Sequence, residues 1–327
     1  MLPKFAYVRP ETAEDALKLL SAKGAVAYAG GTDLLGCLRE GVFEVETVVS
    51  LARLKGKLRE IGRSPEGGLH LGALATITEV AEHPAVQQLY PGLARAAGEV
   101  ASPQLRNQGT IGGNLCQKPR CWYYRGDFPC LRKGGDTCFA VAGENQYHCI
   151  FGGESCYIVH PSDTAPVLAA LDAVVHIAGP QGARNVPVAD FHMTPSKDPQ
   201  RETVLERGEL VTGISLPAPP AGLRSSYRKV RARRSWDFAL AGVALALVFD
   251  RGIVQSARVY LSGAAPVPWR AWDVEKAVIG RRLDEATLKL ASEAVVKGAR
   301  PMEQNAYKLP LFRGVIVEEL AAIFAVA

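Results

Sequence analysis

Asn114-Leu115-Cys116-Gln117-Lys118-Pro119-Arg120-Cys121-Trp122-Tyr123-Tyr124-Arg125 leaves a glycine-rich turn and opens a cysteine-dense insertion. The insertion continues through Cys130-Leu131-Arg132-Lys133-Gly134-Gly135-Asp136-Thr137-Cys138 and His148-Cys149, and it closes on Cys156-Tyr157-Ile158-Val159-His160-Pro161-Ser162-Asp163. Six of the seven cysteines fall inside it. A thiol cluster this dense has three readings: disulfide staples, a structural zinc site, or the ligands of an iron–sulfur cluster.

Disulfides suit small secreted domains that cannot build a core. This chain has 327 residues, and its first segment shows no charged stretch followed by an apolar run. Zinc sites usually show close Cys-x2-4-Cys pairs, whereas here nine positions separate Cys121 from Cys130, eight separate Cys130 from Cys138, and eighteen separate Cys138 from Cys156. Four thiolates on a glycine- and aromatic-rich loop suit a cubane, in which each iron takes one soft sulfur ligand. Spacing alone leaves zinc and iron–sulfur both open.

The frame around the insertion is more specific. Upstream stand Ala29-Gly30-Gly31-Thr32-Asp33-Leu34 and Arg106-Asn107-Gln108-Gly109-Thr110-Ile111-Gly112-Gly113-Asn114, and downstream stands Pro161-Ser162-Asp163-Thr164-Ala165-Pro166. The first glycine stretch follows the order strand, turn, helix start, which lets backbone N–H groups face a phosphate; the second, after a helix broken at Ser102 and Pro103, reads as a similar phosphate-like turn. The pattern is not Gly-x-Gly-x-x-Gly, so a Rossmann site is not indicated. The ordered set resembles the flavin-binding subunit of the molybdenum hydroxylases, the family of xanthine dehydrogenase, aldehyde oxidoreductases and carbon monoxide dehydrogenase. The cysteine loop after the second turn is similar to the branch of 4-hydroxybenzoyl-CoA reductase and a bacterial aldehyde oxidoreductase, whose medium subunits carry an extra 4Fe-4S cluster. The resemblance covers essentially the whole chain.

It implies an α+β fold with a two-lobed FAD-binding domain of the vanillyl-alcohol-oxidase (PCMH) type over residues 1–218. Its lobes would span about 1–56 and 57–218, with the insertion at 116–157. A smaller C-terminal α+β domain of the CO dehydrogenase flavoprotein type would follow over 223–327. FAD would be held by Ala29, Gly30, Gly31, Thr32, Asp33 and Leu34 on one phosphate, and by Thr110, Gly113 and Asn114 on the other, with Ser102 nearby. Asp163 would reach the ribityl or ribose hydroxyls, or else cap the following helix. Lys229 would stand near the isoalloxazine ring, or else face solvent on its strand. The cluster ligands would be Cys121, Cys130, Cys138 and Cys156, with Cys149 competing for the last place. Cys116 would be a packed thiol, and Trp122, Tyr123 and Tyr124 would shield the cluster.

The function so implied is electron transfer through FAD, with no catalytic residue on this chain. Partners would be a large molybdopterin-binding subunit and a small 2Fe-2S subunit in a dimer of heterotrimers, working with a soluble electron acceptor or donor. Two other classes stay in view: a stand-alone FAD oxidoreductase of the same fold, and a zinc-stabilised interaction module.

Composition fits a compact soluble protein: 48% of residues are hydrophobic, 22% are charged and the net charge is +5. The basic run from Arg228 to Arg234 lacks any base-stacking motif, so it reads as a solvated edge or docking face rather than a nucleic-acid site. The longest apolar run, 238–249, is too short to span a bilayer. Reduced thiols and the absence of a signal sequence make the cytoplasm the default compartment.

The remaining elements follow from periodicity and breakers. Thr12 caps a helix carrying Ala13, Ala16, Leu17 and Leu20, residues 25–29 read as a strand, and 45–51 as another. Lys55 and Lys57 lie in a basic link between the lobes. Strands are expected at 58–61, 69–74, 173–178, 186–191 and 209–216, and helices from Thr78, over 85–98 and over 163–171. After the linker at 217–222 come strands at 225–231, 238–249 and 253–263, with a turn at Asp250-Arg251-Gly252. Helices over 271–279, 284–297 and 311–324 close the chain. Strands followed by helices indicate a separate α+β unit.

Overall fold

Three sheets organise the chain, which the computed structural model describes over residues 1–325, the side chains of Lys55 and Lys57 excepted. The last two positions of the expected C-terminal domain lie outside the described residues. The first sheet joins short parallel strands β1 (Ala6–Val8), β2 (Ala25–Tyr28) and β3 (Thr47–Ser50) in the order β1-β3-β2. Parallel strands need a crossover: helix Ala13–Leu20 lies between β1 and β2, and helix Leu34–Arg39 lies between the neighbours β2 and β3. Thr12 caps the first of these helices by accepting from the Asp15 N–H at 3.1 Å.

The second sheet is antiparallel and contains β4 (Ile61–Arg63), β5 (Leu69–Gly72), β6 (Val174–Gly179), β7 (Gly182–Pro187) and β8 (Leu210–Leu216), ordered β4-β5-β8-β6-β7. Leu69, Leu71, Val175, Ile177 and Ile214 point from it into the main core, where helices Pro91–Gly98 and Thr164–Ala170 cover them.

Three expectations are corrected here. Residues 55–59 form a helical turn and the strand begins only at Ile61. The helix over 85–98 is two helices, Pro84–Leu89 and Pro91–Gly98, because proline disfavours the helical conformation for the residue before it; Tyr90 accordingly leaves it, with φ −137°. The strand over 186–191 ends at Pro187, and Val188–Phe191 turns helically, burying Val188 and Phe191. A short apolar run fits either period, and here the helical one wins.

The third sheet holds β9 (Leu223–Val230), β10 (Ala241–Asp250), β11 (Ile253–Ser262) and β12 (Trp269–Arg270), ordered β12-β11-β10-β9. The expected hairpin at Asp250-Arg251-Gly252 is present, with Arg251 at φ 49° and Gly252 at φ 78°. Side chains alternate across a strand, so β10 has two unlike faces. Val243, Leu245 and Leu247 bury against the C-terminal helices, including Trp272–Val278, Glu285–Ala294 and Lys308–Ala325. Ala244 and Ala246 face the main core, where their small size admits helices from the preceding unit. The approach is close: a Cβ on Gly92 would meet the Ser226 backbone nitrogen at 2.8 Å. This sheet is therefore buried on both sides.

The cysteine insertion has only single turns of helix, Trp122–Arg125 and Leu131–Lys133. Several of its backbone groups bond to the units around it. Asn305 donates to the carbonyls of His148 and Cys149 at 3.0 and 3.2 Å, and the Ile150 N–H donates to the Ala264 carbonyl at 2.8 Å. Among the described residues, no helix is long and apolar enough to cross a membrane.

Candidate functional site

The two glycine turns touch. A Cβ on Gly30 would stand 1.9 Å from the Gln108 carbonyl oxygen, and one on Gly31 would stand 2.5 Å from the Tyr28 ring while requiring φ +71°. Only glycine meets both conditions. Among the described residues, no protein acceptor meets the N–H groups of Gly31, Thr32, Asp33 or Thr110. Ala29 follows β2 and packs against the first-lobe core, and Leu34 starts helix Leu34–Arg39. Gly30→Ala is therefore expected to force the turns apart, costing about 1–3 kcal/mol and most of any bound flavin. FAD content and melting temperature check this; native values for both would show that the contact does not matter.

The Asp33 carboxylate points away from the turn, into the cysteine insertion. It accepts from the Lys118 N–H at 2.7 Å and pairs with Arg125 at 2.7 Å and Arg120 at 2.9 Å. These two arginines flank Cys121 in sequence, so the first turn and the start of the insertion are one polar unit.

In the second turn, Thr110 caps helix Ile111–Leu115 by accepting from the Gly113 N–H at 3.2 Å. The Asn114 side-chain oxygen accepts from the hydroxyls of Ser162 at 2.6 Å and Thr164 at 2.7 Å, tying this turn to the segment after the insertion. Ser102 caps the short helix Pro103–Arg106, accepting from the Leu105 N–H at 3.4 Å.

Asp163 makes no side-chain capping bond, so that alternative is set aside. Its carboxylate accepts from the Tyr227 hydroxyl and from Lys229 Nζ, each at 2.7 Å, and Lys229 also donates to the Glu99 carbonyl at 3.1 Å. The Lys229 side chain is 0% exposed, which excludes the solvent-facing alternative. Burial pushes the Asp163 carboxyl above its usual range, against the pull of the lysine and the phenol. The wider basic run is largely neutralised as well, through Arg228–Glu318 at 2.5 Å and Arg231–Glu99 at 2.6 Å.

Asp163 lies on the wall of a cavity of about 470 Å³ between the insertion and the third sheet, with Arg120, His148, Arg233, Phe238 and Ser262. Beside it is a second, much smaller space of about 10 Å³ lined by Cys121, Cys130, Cys138 and Cys156. The structure thus brings the four expected ligands together. Cys149 is buried outside that lining, and a Cβ on Gly153 would lie 2.9 Å from its sulfur. Cys116 packs at the edge of the main core, its thiol pushed up to about 12 by burial.

Tyr123, Tyr124 and Phe139 also line the small space, whereas Trp122 does not: it stands 46% exposed on the rim of the larger cavity. The shielding role expected of Trp122 is thereby corrected. The Cys156 thiol is pulled down by the neighbouring Cys138 thiol and by Arg132, and burial pushes Cys121 up to about 11. Arg132, buried at 2.7 Å from Glu202, brings a fixed positive charge to the thiols. Among the described residues, no group of three or more His, Cys, Asp or Glu side chains is arranged to hold a metal ion.

Residues 3–219 match the family model described as the FAD binding domain in molybdopterin dehydrogenase. The chain belongs to that family. Residues 225–324 match the CO dehydrogenase flavoprotein C-terminal domain, which bears out the α+β expectation for this molybdopterin-dehydrogenase flavoprotein. It is 39% identical over 327 residues to the aldehyde oxidoreductase FAD-binding subunit PaoB of Escherichia coli, covering 97% of each chain. It is 28% identical over 300 residues to the glyceraldehyde dehydrogenase medium chain of Sulfolobus acidocaldarius, covering 91% of this chain and 89% of the relative. Among solved structures, a carbon monoxide dehydrogenase of Hydrogenophaga pseudoflava lacking the Mo-pyranopterin moiety matches with TM-score 0.79 and 26% identity over 99% of both chains. The flavoprotein is accordingly an oxidoreductase subunit.

Sequence reasoning missed several residues of this flavoprotein's site. Tyr227 was findable, since it stands two positions before Lys229 on one strand and so shares its face. Ser262, Glu202 and the carboxylate role of Asp33 carried no local signal, because their partners are remote in sequence.

Proposed function

We propose that this subunit carries FAD across the two glycine turns and a 4Fe-4S cluster on Cys121, Cys130, Cys138 and Cys156, and that it passes electrons between a partner's 2Fe-2S clusters and an external acceptor or donor. The observation that carries this reading is the four-thiol space sharing a wall with the 470 Å³ cavity. Bound FAD would supply the exchange between two-electron and one-electron chemistry, and the protein sets its position and electrostatics.

The chain's own groups are of the types both cofactors need. The free N–H groups of Gly31, Thr32, Asp33 and Thr110 are donors for a diphosphate, with Ala29, Gly30, Leu34, Gly113 and Asn114 shaping the turns and Ser102 nearby. Asp163, fixed by Tyr227 and Lys229, is a ready acceptor for sugar-chain hydroxyls. Four thiolates can serve a cubane, where each binds a different iron, or zinc, where all four meet one ion; the likeness of the cysteine loop to the branch with an extra cluster favours the cubane, and the 10 Å³ space between the thiols would have to widen to admit it. Arg132 offsets their negative charge, and the tyrosines keep water out.

In this reading, residues 1–218 form the flavin domain with lobes of about 1–56 and 57–218, and 223–327 form the domain that closes over it. A large molybdopterin-binding subunit and a small 2Fe-2S subunit complete a dimer of heterotrimers in the cytoplasm, where thiols stay reduced. The 39% identity to an aldehyde oxidoreductase subunit makes an aldehyde the favoured substrate of the complex.

The test is iron, sulfide, zinc and FAD content of the anaerobically purified complex, with this subunit resolved afterwards, and spectra before and after dithionite. The subunit should hold about four irons and one FAD, with a broad shoulder that bleaches on reduction. FAD without iron would favour the plain flavoprotein, and zinc without flavin would overturn the assignment.

A further inference from the structure

The small cysteine-lined space and the larger cavity share three wall residues, Cys121, His148 and Ile158. Of the four thiols, only Cys121 lines both. His148 Nε2 lies 3.3 Å from the Cys121 sulfur. The histidine is 5% exposed, and its Nδ1 meets no partner. Its backbone is held on both sides, the N–H donating to the Asn145 carbonyl at 3.0 Å and the carbonyl accepting from Asn305 at 3.0 Å.

A metal-bound thiolate offers only lone pairs, so the ring nitrogen facing it must be the donor. The proton then sits on Nε2 and Nδ1 keeps an unshared pair, which matches its lack of a partner. Reduction of a cluster adds one electron without making or breaking a bond, and the extra negative charge spreads onto the ligand sulfurs. A hydrogen bond to one of those sulfurs stabilises the reduced state and raises the potential.

We propose that His148 is a positioning residue that raises the reduction potential of the cluster at the corner facing the larger cavity, through an Nε2–H···Sγ bond to Cys121. This rests on Cys121 being a cluster ligand. Among the described residues no other ligand sulfur lines the larger cavity, so the histidine acts at the wall the two spaces share.

The test uses the purified complex, native and with His148→Leu or His148→Gln, in a dithionite titration followed by EPR for the cluster and by absorbance for the flavin. His148→Leu should lower the cluster midpoint and leave the flavin midpoint in place, whereas His148→Gln, whose amide donates from nearly the same position, should restore most of the shift. An unchanged midpoint in His148→Leu at full iron content, or equal shifts in both variants, would overturn the proposal. If the leucine variant loses iron, the native complex labelled with ¹⁵N-histidine decides. Hyperfine coupling of the reduced cluster to a histidine nitrogen is expected, and its absence refutes the bond. A native complex without iron would remove the underlying reading as well, and iron analysis reports that separately.

Discussion

Cys156→Ser is expected to strip the subunit of nearly all its iron and sulfide, whereas Cys149→Ser keeps both. The two cysteines compete on sequence grounds, since each follows Cys138 at a distance a loop can span. They differ in surroundings: Cys156 lines the space shared with Cys121, Cys130 and Cys138, and Cys149 is buried outside it. Serine offers a harder, less acidic oxygen to irons that prefer thiolate, and a cubane left with three protein sulfurs is not retained through purification. Serine at position 149 only buries a hydroxyl in a thiol's place, with a stability cost of about 1–3 kcal/mol if it finds no partner. Iron and sulfide per chain, with melting temperature as the control for folding, decide the matter. Full iron in Cys156→Ser, or depletion in Cys149→Ser at native stability, would reverse the assignment.

The second large effect concerns the buried pair. Asp163→Ala leaves the fully buried Lys229 ammonium with only the Glu99 carbonyl, and breaking a buried pair in this way costs about 3–5 kcal/mol. Lys229→Met alone removes the cation bonded to a carboxylate that keeps one donor, Tyr227, and should also be costly. The double variant Asp163→Ala/Lys229→Met removes both charges and should recover a good part of the loss, because the pair's mutual attraction mainly repays its own desolvation. Melting curves of the complex carrying each variant test this through the coupling between the two changes. Simple additivity would mean that the residues do not act as a pair. Flavin occupancy should fall in every Asp163 variant, including the stable one, which separates binding from folding.

How much of this was legible depends on how far each cause lies along the chain. The glycine turns were readable because their requirement is local: Gly31 needs a positive φ beside Tyr28, only three positions away. Their mutual contact was not, since nothing near Gly30 announces Gln108. The alternation of β10 could be read as burial, but its division into a face for large residues and a face for small ones depends on two different neighbours. Both open alternatives at Asp163 and Lys229 were local ones, a helix cap and an exposed strand position. Each lost to the same long-range bond. The break at Pro91 had a local signal and was still missed, because the apolar spacing on either side of it stays helical.

The contact between Gly30 and Gln108 also says when the site can come into being. A nascent chain that has delivered only its first lobe presents a glycine turn with bare N–H groups and nothing opposite. Closing so long a stretch of chain carries an entropic cost that must be met before any donor on the second turn is in place. The same holds for Asp163, whose lysine and tyrosine belong to a strand synthesised much later. The cradle is thus a product of finished translation, and a truncated chain would contain every glycine of the motif without the place they make.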